Sequence, residues 1–366
     1  MTNPPRRART TAEHLSNAPA TRFGRWAMTR ALPLLLALFA GCVAGAAEGP
    51  SKEAHVVGWP SFGSVDRGGV SLAGHTNTVP DVIGPVDGSA KLTVFTEGNH
   101  FPVLLPLLFD AFVPWCAARE GCDVSADQIL VVTLPQVMIV RALRERRLRL
   151  GNLVLPLAPG GVWPDVVMAG EGPLSRLAER GLVVEHALVL ARHRGVGLLM
   201  RRGSPGDVTD LPALVDAPAR IVVAPEAEAG ARRQYQRTLV ALIGTRRTEA
   251  LFGRAIGPFP GRLAIQHRDV PFALLTGQAD AGLLFGHLAA FYARAFPDRL
   301  VARPIAGAEV FGESVLMART DEAGAARAPL FTFLLEAAPD AYASGGFCET
   351  DEFDFGAEVR LGNGRR

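Results

Sequence analysis

Three of the eight histidines stand where segments with the pattern of β-strands end. They are His100, His267 and His287, and Glu97 lies three residues before the first of them. A neutral imidazole is the commonest metal ligand in proteins and also donates hydrogen bonds to anions, while a carboxylate can complete a metal site. These residue types therefore indicate a metal site or an anion site. The alternative is that each histidine caps a helix or packs in the core.

Amide side chains and backbone N–H groups extend this set. Asn99 and Gln136 follow the first two predicted strands, and Gly230 and Val270 stand where predicted helices begin. The start of a helix has unpaired N–H groups and a partial positive charge, so it binds anions or carbonyl oxygens. In open α/β sheets, ligands bind beyond the carboxyl ends of the strands. We therefore expect these residues, with Glu97 and the histidines, to surround one ligand.

Strand-like and helix-like segments alternate from residue 91 onward. Short β-rich runs are predicted as strands at Leu92–Phe95, Ile129–Thr133, Asp165–Met168, Val196–Met200, Ile221–Ala224, Leu263–Gln266 and Gly282–Phe285. Helices are predicted between them at Pro102–Phe112, Val137–Leu148, Leu174–Arg180, Arg232–Ile243, Pro271–Thr276 and Leu288–Ala295. This alternation is typical of α/β sheets covered by helices on both faces. The pattern extends over about 270 residues, more than one ordinary domain, so it predicts two α/β lobes.

Residues 1–46 have the pattern of a secretory signal peptide. The uncharged run Ala31–Ala40 follows Arg30 and precedes the small-residue cleavage pattern Ala44–Ala46. Met28 is an alternative start, and Cys42 is an alternative site of lipid attachment, since the residues before it resemble a lipobox. We therefore expect a periplasmic or otherwise extracytoplasmic protein. Residues 47–90 are rich in Gly, Pro, Ser and Val and are predicted to be an irregular extension.

Charge and motifs exclude several classes of function. The net charge of +2 depends on residues 1–46, where six arginines against Glu13 give +5. The remaining chain carries −3, which does not suit a nucleic-acid partner. The motifs of serine hydrolases, zinc proteases and nucleotide-binding loops are missing, and no nucleophile stands beside a base. We therefore predict neither an enzyme nor a cofactor. Cys116 and Cys122 either form a disulfide in an oxidising compartment or remain thiols, because sequence alone does not settle pairing.

Four segments resemble the periplasmic solute-binding proteins of ABC importers, in the molybdate- and sulfate-binding branch. Lys91–Phe95 resembles the opening strand of that family. Pro164–Met168, with Leu174–Gly181 after it, resembles the family segment with the pattern PADVF…L…G. Ile221–Pro225 resembles a strand of the family's second lobe. Val270–Phe285 is the most specific segment. Within it, Gly277–Gly282 matches the family's signature nearly position by position.

The resemblance implies a fold, a partner and a division into lobes. The fold would be the type II periplasmic-binding-protein fold, an α/β fold with two lobes, mixed sheets flanked by helices, and a hinge between the lobes. Lobe one would contain residues 91–195 and 302–366, and lobe two residues 196–301. A small molecule or ion would bind between the lobes of a monomer, and an ABC permease in the inner membrane would receive it.

The contact residues of the family differ from those of this chain. In oxyanion-binding members, two serines, backbone N–H groups and a tyrosine hold the ligand. Carried over by position, Asn99 and Gln136 replace the serines, Gly230 and Val270 take backbone-donor positions, and Phe285 replaces the tyrosine.

Three ligand classes therefore remain open. An oxyanion would use the helix starts, but Glu97 would repel it. A metal ion or metal chelate would use His100, His267 and His287, with Glu97 as an optional further ligand. A small polar organic acid would use Asn99, Gln136 and an arginine. Two alternative functions also remain, namely an exported enzyme with Glu97 and a histidine as general acid and base, and a ligand-sensing module for a signalling partner.

Overall fold

The structure is a computed structural model of the 366-residue chain, and it describes residues 82–150, 153–204, 208, 210–224, 226–256, 266–320 and 327–362. The predicted signal peptide at residues 1–46 lies outside the described residues. So does the predicted irregular extension up to residue 81. Its last part is not irregular throughout, because Val82–Ile83 forms a strand that pairs with Val131 and Val132.

The described residues form thirteen strands and ten α-helices. The strands are β1 Val82–Ile83, β2 Leu92–Glu97, β3 Ile129–Leu134, β4 Arg147–Leu150, β5 Leu153–Pro156, β6 Val166–Ala169, β7 His186–Arg192, β8 Val196–Arg201, β9 Ile221–Val222, β10 Ala281–Phe285, β11 Leu300–Pro304, β12 Ser314–Arg319 and β13 Glu358–Arg360. The helices are α1 Phe101–Pro106, α2 Val113–Ala117, α3 Gln136–Glu145, α4 Glu171–Ala178, α5 Leu211–Asp216, α6 Ala229–Ile243, α7 Thr245–Gly253, α8 Gln266–Leu275, α9 Gly286–Ala295 and α10 Arg327–Ser344. A π-helical stretch, Leu107–Phe112, joins α1 to α2.

Two mixed sheets contain eleven of these strands, and β4 pairs with β5 in a separate two-stranded sheet. The larger sheet has the order β1-β3-β2-β6-β12-β7-β13, and the smaller has the order β11-β8-β10-β9. In the larger sheet β2 runs parallel to β3 and β6, while β12 is antiparallel to both β6 and β7. In the smaller sheet β10 is parallel to β9 and antiparallel to β8. We call the larger sheet with its helices lobe one, and the smaller sheet with its helices lobe two.

The centre of lobe one is apolar because its strands are covered on both faces. All six residues of β2 and all six of β3 are buried, which suits their β-branched and aromatic composition. The helical run Gly98–Ala117 has the length and mean hydropathy of a membrane span. However, Phe101, Leu104 and Phe112 within it are fully buried in the core, so packing explains its apolar character.

The chain crosses between the lobes twice. It passes from β7 to β8 through residues 193–195 and returns from β11 to β12 through residues 305–313. The two crossings lie against each other, because the His193 N–H donates to the Glu313 carbonyl at 3.2 Å. Gly195 has a φ of +73°, and a Cβ there would stand 2.1 Å from the Ala308 carbonyl oxygen, so only glycine fits.

Several predicted boundaries are corrected. The helix predicted at Val137–Leu148 ends at Glu145, because Arg146 adopts a left-handed conformation with a φ of 52° and the chain then turns into the β4–β5 hairpin. Strand β11 pairs with β8 as far as Pro304, whereas the predicted division placed residues 302–304 in lobe one.

The region before β10 is also corrected. Residues 263–265 of the predicted strand Leu263–Gln266 lie outside the described residues, and Gln266 begins helix α8. Pro271 therefore lies inside that helix and does not open it. A proline there removes one helical hydrogen bond, but Val270, Ala273 and Leu274 are buried in the core and offset this cost.

Candidate functional site

A cleft of about 1240 Å³ lies at the carboxyl-terminal ends of strands from both lobes. Lobe one contributes Glu97 and Gln136, and lobe two contributes Gly230, Gln234 and Phe285. Because β2, β3 and β6 are parallel, their ends meet at one edge of the larger sheet, and the chain leaves each strand at this edge. The position agrees with the general rule for ligand sites in open α/β sheets.

Glu97 is the last residue of β2 and is only 3% exposed. The Gln136 Nε2 group donates a hydrogen bond to its Oε2 atom. Burial raises the pKa of Glu97 to about 8, repulsion from Glu313 adds to the rise, and a hydrogen bond with the Asn99 side chain opposes it. Within the described residues Glu97 has no ion-pair partner, so this carboxyl is buried in the cleft wall without a compensating cation.

Gln136 and Gly230 each lie at the start of a helix that borders the cleft. Pro135 has extended backbone angles and precedes α3, so the first helical residue, Gln136, lies beside the end of β2. Gly230 is the second residue of α6 and is exposed in the cleft wall, with open space around its Cα. The cleft thus brings together four of the predicted ligand residues, namely Glu97, Asn99, Gln136 and Gly230.

His100 lies behind the cleft and not in its wall. It is fully buried, and both ring nitrogens have partners, since Nε2 contacts Thr96 Oγ1 and Nδ1 lies 2.5 Å from the Tyr342 hydroxyl. Burial lowers the pKa of His100 to about 3, and repulsion from His287 contributes. We predicted that His100 faces the ligand, but the structure places its ring in the core.

His287 also lies outside the cleft wall, at the start of α9. Its Nε2 atom is 2.7 Å from the Asn99 carbonyl oxygen, so it ties lobe two to the turn that follows β2. Its ring stacks on Phe347 with 4.0 Å between ring centroids. Burial lowers the pKa of His287 to about 3, although the hydrogen bond to Asn99 opposes this. The neutral ring supports the cleft from behind.

The other two predicted residues both lie in α8. Val270 is the fifth residue of α8 and is 1% exposed, so it does not provide the helix-start amide that we predicted. His267 lies in the first turn of α8, and its side chain is outside the described part of the structure. No three His, Cys, Asp or Glu side chains of the described residues are grouped to hold a metal ion.

His193 lines the cleft, although we had assigned no function to it. It is 3% exposed, and its ring centroid is 4.5 Å from that of Phe285. Burial, with repulsion from His287, lowers the pKa of His193 well below its usual value. Its Nδ1 atom has no hydrogen-bond partner within the described residues. The same strand-end rule finds it once β7 is recognised, because β7 runs in the direction of β6 and His193 follows its end.

Six exposed arginines line the cleft. The exposed arginines in its walls are Arg141, Arg144, Arg176, Arg180, Arg233 and Arg237. Two of them form ion pairs with glutamates of the cleft, Arg141 with Glu145 at 2.8 Å and Arg237 with Glu313 at 3.1 Å. The sequence did not reveal this set of arginines, because arginine is frequent along the whole chain and carries no positional signal.

Comparison with known proteins identifies a family and a fold. A family model described as bacterial extracellular solute-binding protein matches residues 151–347. The sulfate-binding protein SubI from Mycobacterium tuberculosis H37Rv is similar in structure, with a TM-score of 0.51 and 14% identity over 71% of this chain and 87% of SubI. Peb3 from Campylobacter jejuni has a TM-score of 0.46 and 14% identity over 70% of this chain and 99% of its own. No curated protein sequence matches the chain. The likeness to SubI shows the fold, so the predicted two-lobed α/β architecture is confirmed.

Proposed function

The chain belongs to the bacterial extracellular solute-binding protein family, and we propose that it captures a small ligand in the cleft between its lobes and delivers it to an ABC permease. The observation that carries this proposal is the composition of the cleft walls. Glu97 and Gln136 come from lobe one, while Gly230, Gln234 and Phe285 come from lobe two. A ligand that contacts both walls gains affinity only when the lobes approach, so binding would favour closure.

The two chain crossings support hinge closure. Residues 193–195 and 305–313 are the short segments that connect the two sheets, and they contact each other through the hydrogen bond between His193 and Glu313. Hinges are commonly a few residues at the ends of secondary-structure elements that absorb changes in φ and ψ. Because His193 also lines the cleft, a ligand there would contact the hinge directly.

The proposed compartment is extracytoplasmic. Residues 1–46 would act as a signal peptide, with lipid attachment through Cys42 as the alternative. Cys116 and Cys122 form a disulfide at the end of α2, which is typical of proteins that fold in an oxidising compartment. Delivery to a permease in the inner membrane would then take place on the outer face of that membrane.

A thermal-shift screen tests capture in the cleft. Oxyanions, divalent metal ions, small organic acids and their amino derivatives are offered to the mature protein, since a ligand at 100 times its dissociation constant adds about 2.7 kcal/mol to the stability. We expect at least one class to raise the melting temperature. The variant Gly230→Trp, which fills the cleft wall where a side chain has room, should abolish the shift.

Gly253→Trp is the matched control, because Gly253 is also exposed with open space around it but lies at the end of α7, away from the cleft walls. It should keep the ligand-induced shift. If Gly230→Trp and Gly253→Trp respond alike, the ligand does not bind in this cleft. If no ligand stabilises the protein and a substrate is turned over, the solute-capture proposal fails in favour of an enzyme.

A further inference from the structure

Three buried side chains of the cleft lining are a carboxyl, an imidazole and an aromatic ring. Glu97, His193 and Phe285 all line the cleft and are each 3% exposed. Glu97 has only amide partners within the described residues, and His193 Nδ1 has none there. We call these three residues, together with Gln136, the cleft floor.

We propose that the cleft floor binds a protonated amine, so that the captured solute is an organic ammonium compound; this inference rests on the solute-binding function proposed above. An ammonium group donates charge-assisted hydrogen bonds to a carboxylate and can donate another to a neutral imidazole nitrogen. An aromatic ring beside it adds a favourable cation–π contact. The floor supplies one group of each kind.

The immediate surroundings of Glu97 favour a cation beside it. The arginines of the cleft walls are exposed, and no arginine or lysine of the described residues pairs with Glu97. A fully ionised oxyanion beside Glu97 would be compatible only with the protonated carboxyl, which offers it one hydrogen-bond donor and no positive charge. A metal ion would lack ligands, because the described residues contain no group of three metal-ligating side chains.

Binding of an ammonium group should release a proton. Burial raises the pKa of Glu97 to about 8. The charged or titratable groups that act with it are Glu313, which raises this pKa, and Tyr342, whose own pKa is raised by burial and then by Glu97. The nearby His100, His193 and His287 have pKa values below the usual value and are neutral. An ammonium ligand favours the ionised carboxylate, so its affinity should rise about tenfold per pH unit below pH 8 and level off above it.

Isothermal titration calorimetry tests this coupling on the mature protein. The probes are free amino acids, linear diamines and primary monoamines, each paired with an analogue in which hydrogen or hydroxyl replaces the amine. Titrations in buffers with different ionisation enthalpies count the protons released. We expect an amine to bind with proton release near pH 7, and its amine-free analogue to bind at least tenfold more weakly. The three probe groups show whether the amine belongs to an amino acid, a diamine or a monoamine.

Variants assign the effect to the floor. Glu97→Gln should weaken the amine at least tenfold at pH 8 and remove the rise of affinity with pH. Glu249→Gln, on the exposed surface of α7 and outside the cleft walls, should leave both unchanged. If Glu97→Gln does not fold, proton release by the unmodified protein still decides the question.

The outcomes separate this inference from the proposed function. If oxyanions or amine-free acids bind the protein and bind Glu97→Gln more tightly, the amine inference is wrong while solute capture stands. The same holds if an amine binds without releasing a proton, or if its hydroxyl analogue binds equally well. If none of these compounds nor any other small solute binds, the proposed function itself fails.

Discussion

Replacing Asp280 by asparagine should lower the free energy of unfolding by about 2 to 4 kcal/mol at pH 7. The Asp280 side chain is 5% exposed and accepts the Arg220 Nε and Nη2 groups at 3.0 and 2.8 Å and the Arg201 Nη2 group at 2.9 Å. It also accepts the Arg220 backbone N–H at 3.0 Å. The arginine side chains are 50% and 32% exposed, so water compensates part of the loss, and the expected cost lies below that of a fully buried ion pair.

The pH dependence of this cost follows from the same contacts. Hydrogen bonds from Arg220 hold the pKa of Asp280 below its usual range. A depressed carboxyl pKa stabilises the folded state above the pKa of the unfolded chain, about 3.9, and this contribution is lost as the pH falls further. The difference between the unmodified protein and Asp280→Asn should therefore be constant above about pH 5 and shrink in stronger acid.

Urea unfolding followed by circular dichroism between about pH 3 and pH 8 measures this difference. Asp298→Asn in the same lobe is the control, because Asp298 is exposed, and it should change the stability by less than about 0.5 kcal/mol. Equal losses of stability in the two variants would show that the hydrogen bonds of Asp280 with Arg220 and Arg201 do not stabilise the fold. So would a loss of ligand binding by Asp280→Asn with unchanged stability, since Asp280 would then contact the ligand.

Three further changes test contacts that stabilise the fold. Replacing both Cys116 and Cys122 by serine should cost about 2 kcal/mol, the value expected for opening so short a loop, measured by urea unfolding without reductant. Gly282→Ala should cost about 1 to 3 kcal/mol in the same assay, because its Cβ would stand 2.5 Å from Val270 Cγ1; an unchanged stability would show that Val270 can move away. His100→Ala should lower the melting temperature through lost packing and lost hydrogen bonds yet keep the affinity of any cleft ligand within about threefold, whereas a larger drop in affinity would return His100 to the binding site.

The central strands were predictable because their composition already requires a buried position. The predicted runs Leu92–Phe95, Ile129–Thr133 and Gly282–Phe285 lie within β2, β3 and β10 and are confirmed. By contrast, β11 is buried only at its first residue and β13 has no buried residue, and both strands have weak apolar patterns. They become strands because distant strands, β8 and β7, offer them hydrogen-bonding edges.

The candidate site was predictable in part for a similar reason. The rule that ligands bind at strand ends found Glu97, Asn99 and Gln136, since it requires only the order of elements along the chain. This rule did not distinguish Asn99, which lines the cleft, from His100, which does not. Both lie in the turn Gly98–His100, but Tyr342, more than two hundred residues away along the chain, takes the His100 ring into the core.

By itself the sequence determined the α/β class, the predicted export signal and the resemblance to solute-binding proteins, because these depend on composition and on local order. Only the tertiary structure decided that Glu97 is buried without a cationic partner among the described residues and that His193 shares its cleft. The charge state of a carboxyl depends on the solvent and charges around it, and here these are set by residues from both lobes. Local sequence does not contain that information, because the two lobes meet only after the chain has folded.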